Sequence, residues 1–180
     1  MATYISLLHG INVSGKNKIR MPDLVNALEK DGFGDVKTYI QSGNILFSYS
    51  KMSTALISRR VETAIMHNLG LPVPAQVLTH KELSEIIASN PFISQPGTDP
   101  AKLHVTFLAD DPSATLVEKL QAYKYHPDEI IVSGRVIYLH LPNGYGRTKF
   151  TNTFIESKLE VSATTRNWRT CLALEEMCIG

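Results

Sequence analysis

Tyr39-Ile40-Gln41-Ser42-Gly43-Asn44-Ile45-Leu46-Phe47 is the stretch that decides the fold, because the chain nearly repeats it as Ile130-Ile131-Val132-Ser133-Gly134-Arg135-Val136-Ile137-Tyr138. In each copy two runs of β-branched, aliphatic or aromatic residues flank a Ser-Gly pair, and glycine permits the positive φ of a tight hairpin turn. The turn pair and its apolar flanks stay in register between the copies. That pattern predicts an internal structural duplication.

Working outward from the first hairpin, Tyr4 to Leu8 reads as a strand, and a helix starts at Pro22 and stops at Asp31-Gly32. The hairpin strands are Val36 to Ile40 and Ile45 to Tyr49. Ser53 or Thr54 caps a helix running to Leu69, Pro74 to Leu78 is a strand, and Thr79 caps a helix through Ile87. Around the second hairpin stand a strand at Leu103 to Leu108, a helix from Pro112 to Tyr123, and strands at Glu129 to Val132 and Val136 to Leu141. Helices over Thr148 to Leu159 and Asn167 to Met177 enclose a short extended segment, Val161 to Thr165. Between the two groups, Asn90-Pro91 through Asp99-Pro100 holds three prolines and a glycine with little periodicity, as a linker does. The expected fold is α+β, two tandem ferredoxin-like (βαββαβ) plait units with added helices: a first unit over 1–90, a linker over 91–101 and a second unit over 102–180. Leu56, Val61, Ile65 and Leu69, with Leu103, Val105 and Phe107, are expected in the core.

At 180 residues and 43% hydrophobic content the chain can bury a sizeable core. A formal net charge of +1 gives no long-range field for gathering nucleic acid, so such a role would need a local patch. No basic region or cleavage site precedes the first apolar run, and no run is long enough to span a bilayer, so a cytoplasmic protein is expected with no membrane partner. Cys171 and Cys178 lie seven apart in one predicted helix, about 10 Å by helical rise and beyond disulfide reach.

The polar residues gather in two places. Leu8-His9-Gly10-Ile11-Asn12-Val13-Ser14-Gly15-Lys16-Asn17-Lys18 follows the first strand. Its glycines can turn backbone N–H groups toward an anion while its lysines supply charge. In a plait the carboxyl ends of strands one and two share a sheet edge, which brings His9, Gly10, Asn12, Gly15, Lys16 and Asn17 near Gln41, Ser42, Gly43 and Asn44. The loop nearly spells a phosphate-binding P-loop, Gly10 to Gly15-Lys16, but Asn17 stands where that motif needs Ser or Thr, and the helix starts too late. The second cluster is Gly146-Arg147-Thr148-Lys149 and Thr164-Thr165-Arg166-Asn167-Trp168, each read as opening a helix. Cations at an already positive helix end call for an anion or an acidic neighbour. Arg147, Lys149, Thr165, Arg166 and Asn167 are therefore candidates, expected on one edge of the second unit. His104 and His140 are expected as cross-strand neighbours, too few for a metal site, and no zinc-ligand spacing occurs. No nucleophile motif and no cofactor fingerprint are present.

Tyr4 to Asn17, Thr38-Tyr39-Ile40-Gln41-Ser42-Gly43-Asn44 and Thr164-Thr165-Arg166-Asn167-Trp168 together resemble the bacterial domain-of-unknown-function 1697 family, as do Asn90-Pro91-Phe92, Leu139-His140-Leu141-Pro142 and Gly146-Arg147-Thr148-Lys149. The resemblance implies a duplicated α+β plait and names no substrate, cofactor or mechanism. Members usually carry arginine where this chain has His9 and glycine where it has Ser14. The reading that follows is a small protein binding a phosphate- or carboxylate-bearing molecule. The alternatives are a single-stranded nucleic-acid module using Phe47 and Tyr138 on an open sheet face, and an interaction protein without a ligand.

Overall fold

The computed structural model describes residues 1–180 and contains six helices and two four-stranded antiparallel sheets. Met1–Ser84 and Leu174–Gly180 form one compact unit, and Glu85–Ala173 forms the other. No helix is long and apolar enough to cross a membrane.

In the first unit the order is β1 (Ala2–Leu8), α1 (Met21–Lys30), β2 (Gly34–Tyr39), β3 (Asn44–Tyr49), α2 (Thr54–Leu69) and β4 (Ala75–Thr79). Its sheet order is β2-β3-β1-β4. Pro22 occupies the first turn of α1, where a missing N–H is harmless. Ser53 caps α2 by accepting from the Leu56 N–H, and Gly70 ends it in the left-handed conformation with its N–H on Met66 O. Ile57, Val61, Ala64 and Ile65 follow the i, i+4, i+7, i+8 stripe and pack with Tyr4, Leu8, Ile45 and Phe47 of the sheet. Leu56, expected in that stripe, is instead 51% exposed. It lies one residue, about 100°, around the helix from Ile57, which takes the inward position. Helix α3 (His80–Ala88) opens with a capping box: the Thr79 N–H and hydroxyl donate to Glu82 Oε2, and the Glu82 N–H returns to Thr79 Oγ1. Thr79→Ala is expected to cost about 1 kcal/mol, read as a lowered denaturation midpoint with an unchanged m-value.

The second unit carries β5 (Leu103–Leu108), α4 (Ala114–Gln121), β6 (Glu129–Ser133), β7 (Val136–His140), α5 (Asn152–Leu159) and β8 (Ala163–Asn167); α6 (Trp168–Ile179) follows, and from Leu174 on it belongs to the first unit. Its sheet order, β6-β7-β5-β8, matches the first strand for strand. The helix start predicted at Thr148 moves, while the one predicted at Asn167 holds to within a residue. Arg147 closes a short 3-10 turn, Tyr145–Arg147, and Thr148 is buried with its hydroxyl on Asp128 Oδ2 while accepting the Phe150 N–H, so α5 waits for the Thr151 cap. Thr165 and Arg166 belong to β8, and Asn167 caps α6 by accepting the Thr170 N–H.

The hairpins also correspond in a different register from the one the sequence suggests. Leu8 N–H donates to Gly43 O, and Leu108 N–H donates to Arg135 O. Leu7 faces Asn44 where Phe107 faces Val136. The first hairpin closes on Tyr39 and Asn44 across four residues, the second on Ser133 and Val136 across two. Phe47 thus corresponds to Leu139, and both pack in the helix-facing cores. Leu46 corresponds to Tyr138, whose hydroxyl donates to Ile86 O at 2.8 Å. Phe47 and Tyr138 are 1% and 2% exposed, so neither is available to stack on a base.

Candidate functional site

At the carboxyl end of β1 the loop and the hairpin turn of the first unit meet as expected. The Asn12 amide binds them: Nδ2 donates to Gln41 O at 2.8 Å and to Ile19 O at 3.0 Å, while Oδ1 accepts the Ile19 N–H at 2.9 Å. Asn12 N–H donates to Asn17 O, and Asn17 Nδ2 returns to Gly10 O. Asn44 is fully buried, with Nδ2 shared between Tyr39 O and Ser42 Oγ. His9 is half-buried, and its N–H donates to Pro74 O. The three asparagines, expected to present hydrogen bonds to a ligand, thus spend their amide donors on the chain's own atoms and hold the loop's shape.

That shape is unusual. Gly10, Asn12, Ser14, Gly15 and Asn17 all have positive φ, between 45° and 75°. Glycine and asparagine adopt this region readily, whereas Ser14, at 50°, does so less easily. Ile40, a β-branched residue at φ 49°, adds a strained turn position on the same edge. Lys16 and Lys18 are exposed, and no carboxylate of the chain pairs with either.

In the second unit, β7 and β8 flank β5 and end at one edge, with Leu103 opposite His140 and His104 opposite Asn167. The predicted residues are nonetheless divided there. Strand residues alternate faces, so Thr165 and Arg166 point to opposite sides of the sheet. Thr165 Oγ1 lies 2.7 Å from Thr106 Oγ1 and donates to Asn152 Oδ1 at the start of α5. Arg166 is half-buried near Cys171 and Tyr145, and that burial lowers its guanidinium to about 10. Lys149 sits 4.9 Å above the Tyr125 ring, in a cluster with Phe150 and Phe154 on the helical side. Arg147 is exposed.

The remaining chemistry-bearing side chains are quiet. His104 faces Leu139 and His140 faces Leu103, so the two histidines lie on opposite faces and are not the cross-strand pair expected. His104 stacks on Tyr145 at 5.3 Å, and burial holds its pKa below the usual imidazole range; His140 Nδ1 lies 3.3 Å from Glu129 Oε1. Burial raises the Cys171 thiol to about 12 and the Cys178 thiol to about 11, leaving both protonated and poor nucleophiles at neutral pH. No group of three His, Cys, Asp or Glu side chains is placed to hold a metal ion.

A hollow of about 650 Å³ in the first unit contains none of the predicted residues. Its wall includes Lys30 at the end of α1, Phe33 after it, and Leu56, Arg59 and Arg60 of α2. The Arg59-Arg60 pair was the available signal, but a charged pair on a helix is ordinarily a solvated face.

Residues 1–138 match a family model described as a protein of unknown function, DUF1697. Among solved structures the chain resembles that of the conserved bacterial protein SP0830 from Streptococcus pneumoniae, with 23% identity and a TM-score of 0.75 over 100% of this chain and 99% of that one. At that identity the similarity speaks for the fold. No curated protein matches the chain.

Proposed function

Because the chain belongs to the DUF1697 family, whose description assigns no activity, we propose from the site alone that this is a small cytoplasmic protein that binds a phosphate- or carboxylate-bearing molecule at the Gly10–Lys18 loop. The observation that carries this reading is the pairing of a tightly bonded loop with two exposed, unpaired lysines. Left-handed residues interspersed along a loop expose N–H groups that anions seek, and a loop fixed beforehand loses little entropy on binding. Lys16 and Lys18 supply charge, Gly10 and Gly15 allow close approach, and Gln41 and His9 flank the loop. The second-unit residues Arg147, Lys149, Thr165, Arg166 and Asn167 form no part of this proposal. We also read each unit as a ferredoxin-like plait, and the pair as a duplication, supported by the matching strand orders.

Titration with inorganic phosphate and with citrate tests the reading. The wild-type protein should bind at least one of them with an affinity that falls as salt rises. Lys16→Ala/Lys18→Ala should weaken binding at least tenfold while leaving the melting temperature without anion unchanged, because the exchanged side chains make no contacts the fold needs. No binding by the wild type, or equal binding by the double variant, would refute the site.

A further inference from the structure

We propose that the hollow between the end of α1 and the outer face of α2 is a second binding site, for a phosphate monoester whose organic part is apolar. It is independent of the reading given to the glycine loop. The volume, about 650 Å³, lies within the range in which proteins hold small organic molecules. Three of its lining residues, Lys30, Arg59 and Arg60, are exposed cations, and none is engaged by a carboxylate of the chain. Lys30 comes from the end of α1, and Arg59 and Arg60 come from the face of α2 that also carries Leu56. The one acidic residue of the wall, Asp31, is already occupied: Asn68 Nδ2 donates to its Oδ1 at 3.3 Å, and His67 Nδ1 lies 3.8 Å from the same oxygen. The wall therefore sets three cations against one carboxylate, an excess of positive charge.

The chemistry narrows the guest. Guanidinium groups engage tetrahedral phosphate oxygens through paired N–H donors, and lysine adds a point charge. Leu56 is 51% exposed on the same wall, beside Phe33, and offers apolar surface that a bare inorganic ion cannot use. A dianionic group attached to a ring or short hydrocarbon fits both halves.

Phenyl phosphate is the probe, with inorganic phosphate as the comparison, both titrated calorimetrically against the 180-residue chain. Phenyl phosphate should bind the wild type and the Lys16→Ala/Lys18→Ala variant, with an affinity at least threefold above that of inorganic phosphate at this hollow. Arg59→Ala/Arg60→Ala should lose at least tenfold in phenyl phosphate affinity with an unchanged melting temperature, and Arg59→Lys/Arg60→Lys should recover part of it. Leu56→Ser should remove the advantage of phenyl phosphate over inorganic phosphate. Equal binding by the Arg59→Ala/Arg60→Ala variant, or no binding by the wild type, would overturn the proposal. Loss of phenyl phosphate binding through the Lys16→Ala/Lys18→Ala variant alone would also overturn it, by placing the probe at the glycine loop.

Discussion

Gly43→Ala should destabilise the protein by about 2–5 kcal/mol, although it adds a single methyl group. A Cβ built on Gly43 would meet Ile11 Cδ1 and Leu8 Cβ at 2.7 Å and Leu8 Cγ at 3.1 Å. Real Cβ atoms essentially never approach that closely, and these neighbours are buried, at 2% exposure for Ile11 and 1% for Leu8. Overpacking contributes about 1–3 kcal/mol, and an L side chain at φ 81° adds about 1–2 kcal/mol. Relief by moving the turn is closed off, because Gly43 O accepts the Leu8 N–H at 2.8 Å and fixes it against the end of β1. Gly15→Ala is the comparison. Its φ is also positive, at 75°, but the nearest atom to an added Cβ is the flexible Lys18 Cε at 3.9 Å, so only the conformational part, about 1–2 kcal/mol, should be lost. Urea denaturation of the two variants measures the difference. Equal midpoints would mean that the contacts with Leu8 and Ile11 carry no weight.

Asn12→Ala should cost about 2–3 kcal/mol, because one side chain satisfies three backbone groups. Ile19 N–H, Ile19 O and Gln41 O would all lose their amide partner. Ile19 is 5% exposed, so its freed groups are poorly placed to recruit water. The φ of 54° adds a penalty that alanine suffers and glycine does not. Asn12→Gly should therefore be less damaging than Asn12→Ala by about 1 kcal/mol, which separates strain from lost hydrogen bonds. The same exchange tests function. If the loop binds anions because it is fixed in advance, Asn12→Gly should weaken phosphate or citrate binding severalfold although Lys16 and Lys18 remain. Unchanged affinity would show that loop order does not matter to the ligand.

The elements that were legible in the chain are those decided by neighbours a few residues away. Pro22 in a first turn, Ser53 as a cap, Thr79 as a cap and Gly70 as a stop each act within one helical turn, and the helices stand where those residues put them. The two hairpins were legible for the same reason. The start of α5 was not: Thr148 looks like a helix opener, but its hydroxyl is taken by Asp128, twenty residues earlier. Arg166 falls between the expected extended segment and the expected helix, and its pairing with Val105 draws it into β8.

The polar loop shows the same division. Residue types alone marked Gly10 to Lys18 and Gln41 to Asn44 as special and placed them at one edge. They could not tell an amide that faces a ligand from one that binds the backbone of its own loop, as Asn12, Asn17 and Asn44 do. The hollow lined by Lys30, Arg59 and Arg60 showed in the sequence only as the Arg59-Arg60 pair, because its residues come from two helices that meet only in the folded unit.

By itself, then, the sequence determined the kinds of elements, their order and the presence of two hairpins, because backbone preference, capping and hydrophobic period are short-range properties. Tertiary structure alone decided the register. The same Ser-Gly pair sits in a four-residue connection in one hairpin and at the edge of a two-residue connection in the other. Hydrogen bonds from Leu8 and Leu108, 35 and 27 residues away along the chain, fix where each turn closes. A shift of one residue in a strand exchanges its faces, so that distant choice determines which side chains are buried and which meet a ligand.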